Sequence, residues 1–176
     1  VGHTGNDLHY RGYDILDLAK FATFEEVAYL LIYGNLPSQN ELDAYKENLK
    51  KLRDIPKALK EILEKIPKNA HPMDVMRTAC SALGTLEQES LDRNINGTQL
   101  IGDRLISCFP GILIYWYHFS HSGKRISLET NQDSIAGHFL ELLHGKSPTA
   151  LQIKAMNCSL VLYAEHEFNA STFTAR

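Results

Sequence analysis

The sequence predicts an all-α, multi-helical fold, and three observations carry that prediction. Helix start and stop signals recur along the chain, the apolar residues between them fall at helical spacing, and alternating strand patterns are nearly absent. No repeat, low-complexity tract or convincing linker divides residues 1–176, so one domain is expected.

Taken in order, Thr23-Phe24-Glu25-Glu26 spells a capping box, in which the Thr hydroxyl and a Glu carboxylate satisfy free backbone N–H groups. Val27, Leu30 and Leu31 then line one face, and Gly34 supplies the left-handed residue that closes the helix. Ser38-Gln39-Asn40-Glu41 is a second box, followed by Leu42, Tyr45, Leu49 and Leu52. Pro56 opens a third helix carrying Leu59, Ile62, Leu63 and Ile66, and Pro67 prevents its continuation. Pro72 opens a fourth, which extends to Gly84. Residues 85–97 are polar and turn-rich and read as a loop. From Thr98 to His121, Leu100, Leu105, Ile112, Leu113, Ile114 and Trp116 occupy every face, which predicts a helix buried on all sides, kinked at Pro110-Gly111. Ser134 to His144 forms a further helix closed by Gly145. Ser147-Pro148 starts a last one carrying Leu151, Ala155, Cys158 and Leu162.

Composition narrows the function. A 44% hydrophobic and 22% charged chain is ordinary for a soluble globule, and a formal net charge of -3 draws it as a whole neither to nucleic acid nor to an anionic membrane. No apolar run approaches the roughly 20 residues that cross a bilayer, and residues 1–10 lack the blocks of a signal peptide. Cys80, Cys108 and Cys158 are odd in number and far apart, which argues for a reducing compartment; a cytoplasmic location is expected.

Several motifs fail. His166-Glu167-Phe168-Asn169-Ala170 begins like a zinc protease signature but has Ala170 where the second His must stand, so no metal is expected. No phosphate loop and no nucleophile elbow occur. The basic run Lys46, Lys50, Lys51, Arg53, Lys57, Lys60 is interleaved with Glu47, Asp54, Glu61 and Glu64, which favours a solvated helix face over an anion site. Tyr115-Trp116-Tyr117-His118-Phe119 sits on an apolar helix, which favours core over a stacking platform. His166, Asn169 and Ser171 lie close together near a helix end. They could polarise a carbonyl or simply cap the helix, and spacing alone favours the cap.

Several longer runs resemble the citrate synthase family. They are Leu8-His9-Tyr10-Arg11-Gly12-Tyr13-Asp14-Ile15, His71-Pro72-Met73-Asp74-Val75-Met76-Arg77-Thr78 and Glu165-His166-Glu167-Phe168-Asn169-Ala170-Ser171-Thr172-Phe173-Thr174. Leu113-Ile114-Tyr115-Trp116-Tyr117-His118-Phe119-Ser120-His121 and Asp133-Ser134-Ile135-Ala136-Gly137-His138-Phe139-Leu140 are similar to the bacterial 2-methylcitrate branch of that family. The resemblance implies the first part of a large helical domain spanning residues 1–176, within a homodimer joined through antiparallel helix pairs. It implies condensation of propionyl-CoA with oxaloacetate without a cofactor; acetyl-CoA, giving citrate, and a non-catalytic helical interaction module are the competing readings. By the same resemblance His166 binds oxaloacetate, Asn169 lines its site and Ser171 supports a neighbouring catalytic histidine, and this moves the reading of His166 from cap to ligand. His71 and Arg77 match the family for structural reasons. The family's Gly-Pro-x-His-Gly-Gly-Ala-Asn segment, its later His and Asp motifs and its carboxylate-binding arginines have no counterpart in these residues. The main catalytic groups are therefore expected downstream, and the chain is expected to be inactive alone. Its abrupt close at Ala175-Arg176, without Gly, Pro or a polar tail, reads as a cut.

Overall fold

In a computed structural model, residues 8–87 and 95–165 are described. They form a small hairpin followed by eight helices. The hairpin pairs β1 (His9–Tyr10) antiparallel to β2 (Tyr13–Asp14), with Tyr10 opposite Tyr13. Its two turn residues, Arg11 and Gly12, have φ values of 51° and 92°, the left-handed pair that a two-residue hairpin turn requires. Asp14 then accepts from the Leu16 N–H at 2.7 Å and caps α1 (Ile15–Phe21).

Both predicted capping boxes form. In α2 (Phe24–Tyr33) the Glu26 carboxylate accepts from the Thr23 N–H at 2.6 Å, and Gly34, at φ 95°, closes the helix by donating to the Leu30 carbonyl. In α3 (Gln39–Lys51) Glu41 accepts from the Ser38 N–H at 2.8 Å. Helix α4 (Lys57–Leu63) follows Pro56 but ends four residues before Pro67, because the chain tightens into turn bonds from Lys65 to Ile62 and from Ile66 to Leu63. In α5 (Pro72–Leu86) the His71 ring accepts from the Met73 N–H at 3.2 Å, and the helix outruns Gly84 by two residues. Helix α6 (Ile95–Ser122) takes up the last three residues of the expected loop and runs unbroken past Pro110. Helix α7 (Ile135–His144) matches its predicted bounds, with Gly145 left-handed at φ 65°. Helix α8 (Ala150–Leu162) starts after Thr149 rather than at Ser147-Pro148, because Thr149 and Gln152 form a third capping box.

The helices enclose two main apolar clusters and a smaller third. The largest joins α4, α5, α6 and α7 through Leu59, Leu63, Val75, Ala79, Ile112, Trp116 and Leu142. Fully burying each of the large aliphatic side chains is worth about 1.5–3 kcal/mol. The second joins the hairpin, α1, α2 and α8 through Tyr10, Ile15, Leu18, Val27, Leu30 and Val161. A third, Ala28, Tyr45 and Leu49, seats α2 on α3. Beside it Asp103 of α6 is fully buried and accepts from the hydroxyls of Tyr33 at 2.6 Å and Tyr45 at 2.8 Å. A strap over residues 124–133 lays Ile126 and Leu128 against the main cluster. Leu128 packs where Gly111 has no side chain, since a Cβ at Gly111 would stand 3.2 Å from it.

The expected burial of α6 changes, and α8 shows which of its faces is covered. Helix α6 is buried or half-buried from residue 102 to 116, but Leu100 and Tyr117 near its ends are exposed, so burial on all sides holds only for the middle. In α8 the Leu151, Ala155 and Leu162 row faces outward, with Leu151 77% exposed, while Val161 is fully buried. The helix is apolar on both sides, so periodicity could not choose a face. Its neighbours α1, α2 and α7 all cover the other side.

Candidate functional site

The sequence-predicted ligands His166, Asn169 and Ser171 lie outside the described residues. The structure does define the end of α8 that leads to them. Three carbonyls there, of Val161, Leu162 and Glu165, lie within 3.1–3.3 Å of the Tyr10 hydroxyl. The same hydroxyl accepts from the Glu165 N–H at 3.4 Å. The last carbonyls of a helix have no partner within it, and a buried phenol is one way to satisfy them. Tyr10 is 1% exposed, and burial is the main cause holding its phenol above the ordinary value, so the group is a neutral donor. Further back, Asn157 ties α8 to the α1–α2 junction. Its side-chain oxygen accepts from the Phe24 N–H at 2.7 Å, and its amide donates to the Ala22 carbonyl at 3.2 Å.

A second polar centre surrounds the start of α7. Glu25 of α2 accepts from the Ile135 N–H at 2.7 Å. Arg53 donates to the Gln132 carbonyl at 2.7 Å and the Asp133 carbonyl at 3.4 Å. His138 is fully buried, with Nδ1 2.9 Å from the Thr130 hydroxyl. Burial first, and then the charge of Arg53, lower the His138 pKa to about 3. This centre fastens the strap, α2 and α7 together, and its Arg53 and Thr130 also line an open pocket of about 500 Å³ with Lys50, Lys60 and Glu129.

The remaining candidates sort as follows. Lys50 pairs with Glu47 and Asp133, and Lys60 with Asp54, as a solvated basic face should. Arg53 departs from that reading, being 6% exposed, because the strap carbonyls draw its guanidinium inward. Tyr115 and Trp116 are core, as expected, and hydrogen-bond Glu64 and the Ile66 carbonyl. Arg77 pairs with Asp74 at the surface, and Arg11 donates to the Leu31 carbonyl. The three cysteines are unpaired. Among the described residues no group of three or more His, Cys, Asp or Glu could hold a metal ion, and no helix is long and apolar enough to cross a membrane. An open groove of about 550 Å³ runs between α5 and α6, lined by Cys80, Gly84, Leu100, Ile101, Arg104 and Leu105.

Nothing in the sequence pointed to Tyr10 or Asn157. The Tyr10 run carried the family resemblance, but a link across some 150 residues leaves no local signal.

An all-helical chain with this helix order, fastened around the end of α8, has close relatives among solved structures. A citrate synthase from Thermoplasma acidophilum, solved in a ternary complex with carboxymethyl coenzyme A and oxaloacetate, superposes with a TM-score of 0.85 at 30% identity, over 96% of this chain and 44% of that one. The citrate synthase of Thermotoga maritima gives 0.78 at 32% identity, over 97% and 43%. Residues 1–176 also match the family model described as "Citrate synthase, C-terminal domain", and the chain belongs to the citrate synthase family. Among curated relatives, a 2-methylcitrate synthase of Shewanella oneidensis is 61% identical over the whole chain and 46% of its own length. A citrate synthase of Heyndrickxia coagulans is 37% identical over 97% of the chain and 46% of its own length. The chain thus spans a little under half the length of the relatives it matches.

Proposed function

We propose that the full-length protein is a 2-methylcitrate synthase, condensing propionyl-CoA with oxaloacetate and hydrolysing the thioester to 2-methylcitrate and free CoA. The observation that carries this reading is the 61% identity to the Shewanella oneidensis enzyme across all 176 residues. Identity near 37% does not separate the two activities, since a 2-methylcitrate synthase of Corynebacterium glutamicum and the Heyndrickxia coagulans citrate synthase both stand there. In the proposed reaction a carboxylate removes the proton alpha to the thioester, the enolate carbon bonds to the ketone carbon of oxaloacetate, and the ketone oxygen takes up negative charge and then a proton. Water next cleaves the thioester and the CoA thiol departs.

In this reading His166 donates to the ketone oxygen as charge develops on it, Asn169 holds the same substrate, and Ser171 supports a neighbouring catalytic histidine. The carboxylate base, that histidine and the arginines for the oxaloacetate carboxylates are proposed to lie outside residues 1–176. No metal or cofactor is needed, because hydrogen bonds and fixed charges polarise both substrates. The proposed location is cytoplasmic.

The test compares propionyl-CoA with acetyl-CoA in the full-length protein, following oxaloacetate-dependent thiol release and the mass of the product. The substrates differ by one methylene, worth about 1–3 kcal/mol in a pocket. A higher kcat/KM for propionyl-CoA is expected; preference for acetyl-CoA would make the protein a citrate synthase.

We further propose that the protein is a homodimer that buries the α5–α6 groove. Leu100 and Ile101 of α6, which line that groove, are 61% and 37% exposed in the single chain, an apolar surface that a partner would cover. A monomer by light scattering at micromolar concentration would contradict this.

A further inference from the structure

We propose that the outer face of α8 is the seat of a helix from the part of the full-length protein outside residues 1–176, which crosses α8 over Ala155 and Ser159. The inference rests on the reading that the full-length protein is about as long as its relatives, of which this chain spans a little under half. Its own ground is the composition of α8 and what covers it. Between Ala150 and Leu162 the helix carries one charge, Lys154, and a helix apolar all round belongs in an interior. Only one side has neighbours. Helices α1, α2 and α7 pack on α8, where Val161 is fully buried and Ile153, Met156, Asn157 and Leu160 are half-buried. Leu151, Ala155, Ser159 and Tyr163, four residues apart and so on one face, are all exposed, the two large ones at 77% each.

Along that row a large side chain at each end flanks two small ones. Rows at a spacing of four form ridges that interdigitate with those of a second helix at about −50°, with the axes about 8–10 Å apart. Ala155 and Ser159 lower the ridge at its middle, where a crossing helix comes closest, and Leu151 and Tyr163 stand on either side of it. The row is about 18 Å long, room for one helix of about 10 Å diameter. A second copy of the chain fits this seat less well. The α5–α6 groove is already the self-contact of the proposed homodimer, and a second self-complementary face would link dimers into larger assemblies. A separate protein would leave an apolar face bare whenever it was absent. A helix of the same polypeptide is tethered to its seat, at high effective concentration.

The experiment uses the full-length protein carrying Ser159→Cys, a nearly isosteric change, with Asn40→Cys on the exposed start of α3 as the open reference. Both are treated with N-ethylmaleimide and each thiol is followed by peptide mass spectrometry, so the native Cys80, Cys108 and Cys158 stay in place. The thiol at position 159 is expected to react at least about 100-fold more slowly than the one at position 40, as for a seat open about 1% of the time or less, and to match it in urea. To identify the cover, a photoactivatable diazirine is attached to the amine of the exposed Lys154 in the unsubstituted protein. Illumination is expected to join it to a peptide outside residues 1–176, with the mass of the chain unchanged on a denaturing gel. Equal labelling at positions 159 and 40 would overturn the proposal, because the face would then be open in the purified protein. A cross-linked band at twice the mass would overturn it in favour of a second copy, and attachment confined to residues 1–176 would overturn it too. Neither readout uses turnover, so a preference for acetyl-CoA, which would change the proposed function, leaves this test intact.

Discussion

Replacing His138 by leucine should remove a specific part of the acid sensitivity of the fold. His138 is fully buried in the first turn of α7, with Arg53 close enough to disfavour a second positive charge. Its pKa of about 3 lies well below the ordinary 6.5 of an unfolded histidine. Between those values the unfolded chain binds a proton that the folded chain refuses, so stability is present above pH 6.5 and is lost as pH falls toward 3. From pH 7 to pH 5 the loss from this one residue is about 2 kcal/mol, a large share of a typical folding free energy of 5–15 kcal/mol. Glu64, held down to about 2 chiefly by Arg125 and Tyr115, adds acid sensitivity only below about pH 4.5, so it does not add to the loss between pH 7 and 5. Urea unfolding at pH 7, 6 and 5, followed by circular dichroism, reads the effect. His138→Leu loses the contact to Thr130, about 1 kcal/mol at every pH, but its stability should stay nearly level across the window while that of the unsubstituted protein falls. Parallel pH profiles, or a His138 ring titrating near pH 6.5 by NMR, would refute the reasoning.

Three further outcomes are expected. Asn157→Leu strands the Phe24 N–H and the Ala22 carbonyl in a part-buried site, and should cost about 2 kcal/mol or more in urea unfolding. Gly34→Ala forces a side chain onto a residue at φ 95° and should lower stability by about 1 kcal/mol, although a Cβ there would touch nothing. Residues 1–176 made alone should give a flat thiol-release trace with oxaloacetate and propionyl-CoA while remaining helical, since proton abstraction beside a thioester needs a positioned base and an enolate donor. Turnover that disappears on His166→Ala would contradict that.

The parts of the fold legible in sequence are those written in local chemistry. The boxes at Thr23 and Ser38, the left-handed glycines at 34 and 145 and the proline at 72 mark helix ends through contacts only a few residues apart. The Thr149–Gln152 box is equally local, and it, rather than the proline before it, sets the start of α8. The hairpin escaped because two-residue strands are too short to show a period of two. The inward turn of Arg53 and the outward face of α8 escaped for another reason: both depend on what packs alongside, which a lysine-rich or uniformly apolar run does not state. At the candidate site His166, Asn169 and Ser171 are named by the resemblance alone and lie outside the described residues, whereas the Tyr10 contacts depend on how α8 packs against the hairpin.

Those contacts also order events in time. Tyr10 and the residues it meets on α8 stand 151 to 155 positions apart. A ribosome adding about 5–20 residues per second needs roughly 8–30 s to make that length. For that interval the hairpin and the apolar sides of α1 and α2 exist without Val161, the residue that completes their cluster. The α4–α5 pairing, by contrast, joins neighbouring segments and can close while α8 is still unmade. Tyr10, Ile15, Leu18 and Val27 are thus made well before the contact that secures them, and a nascent chain must keep them from other apolar partners until α8 emerges.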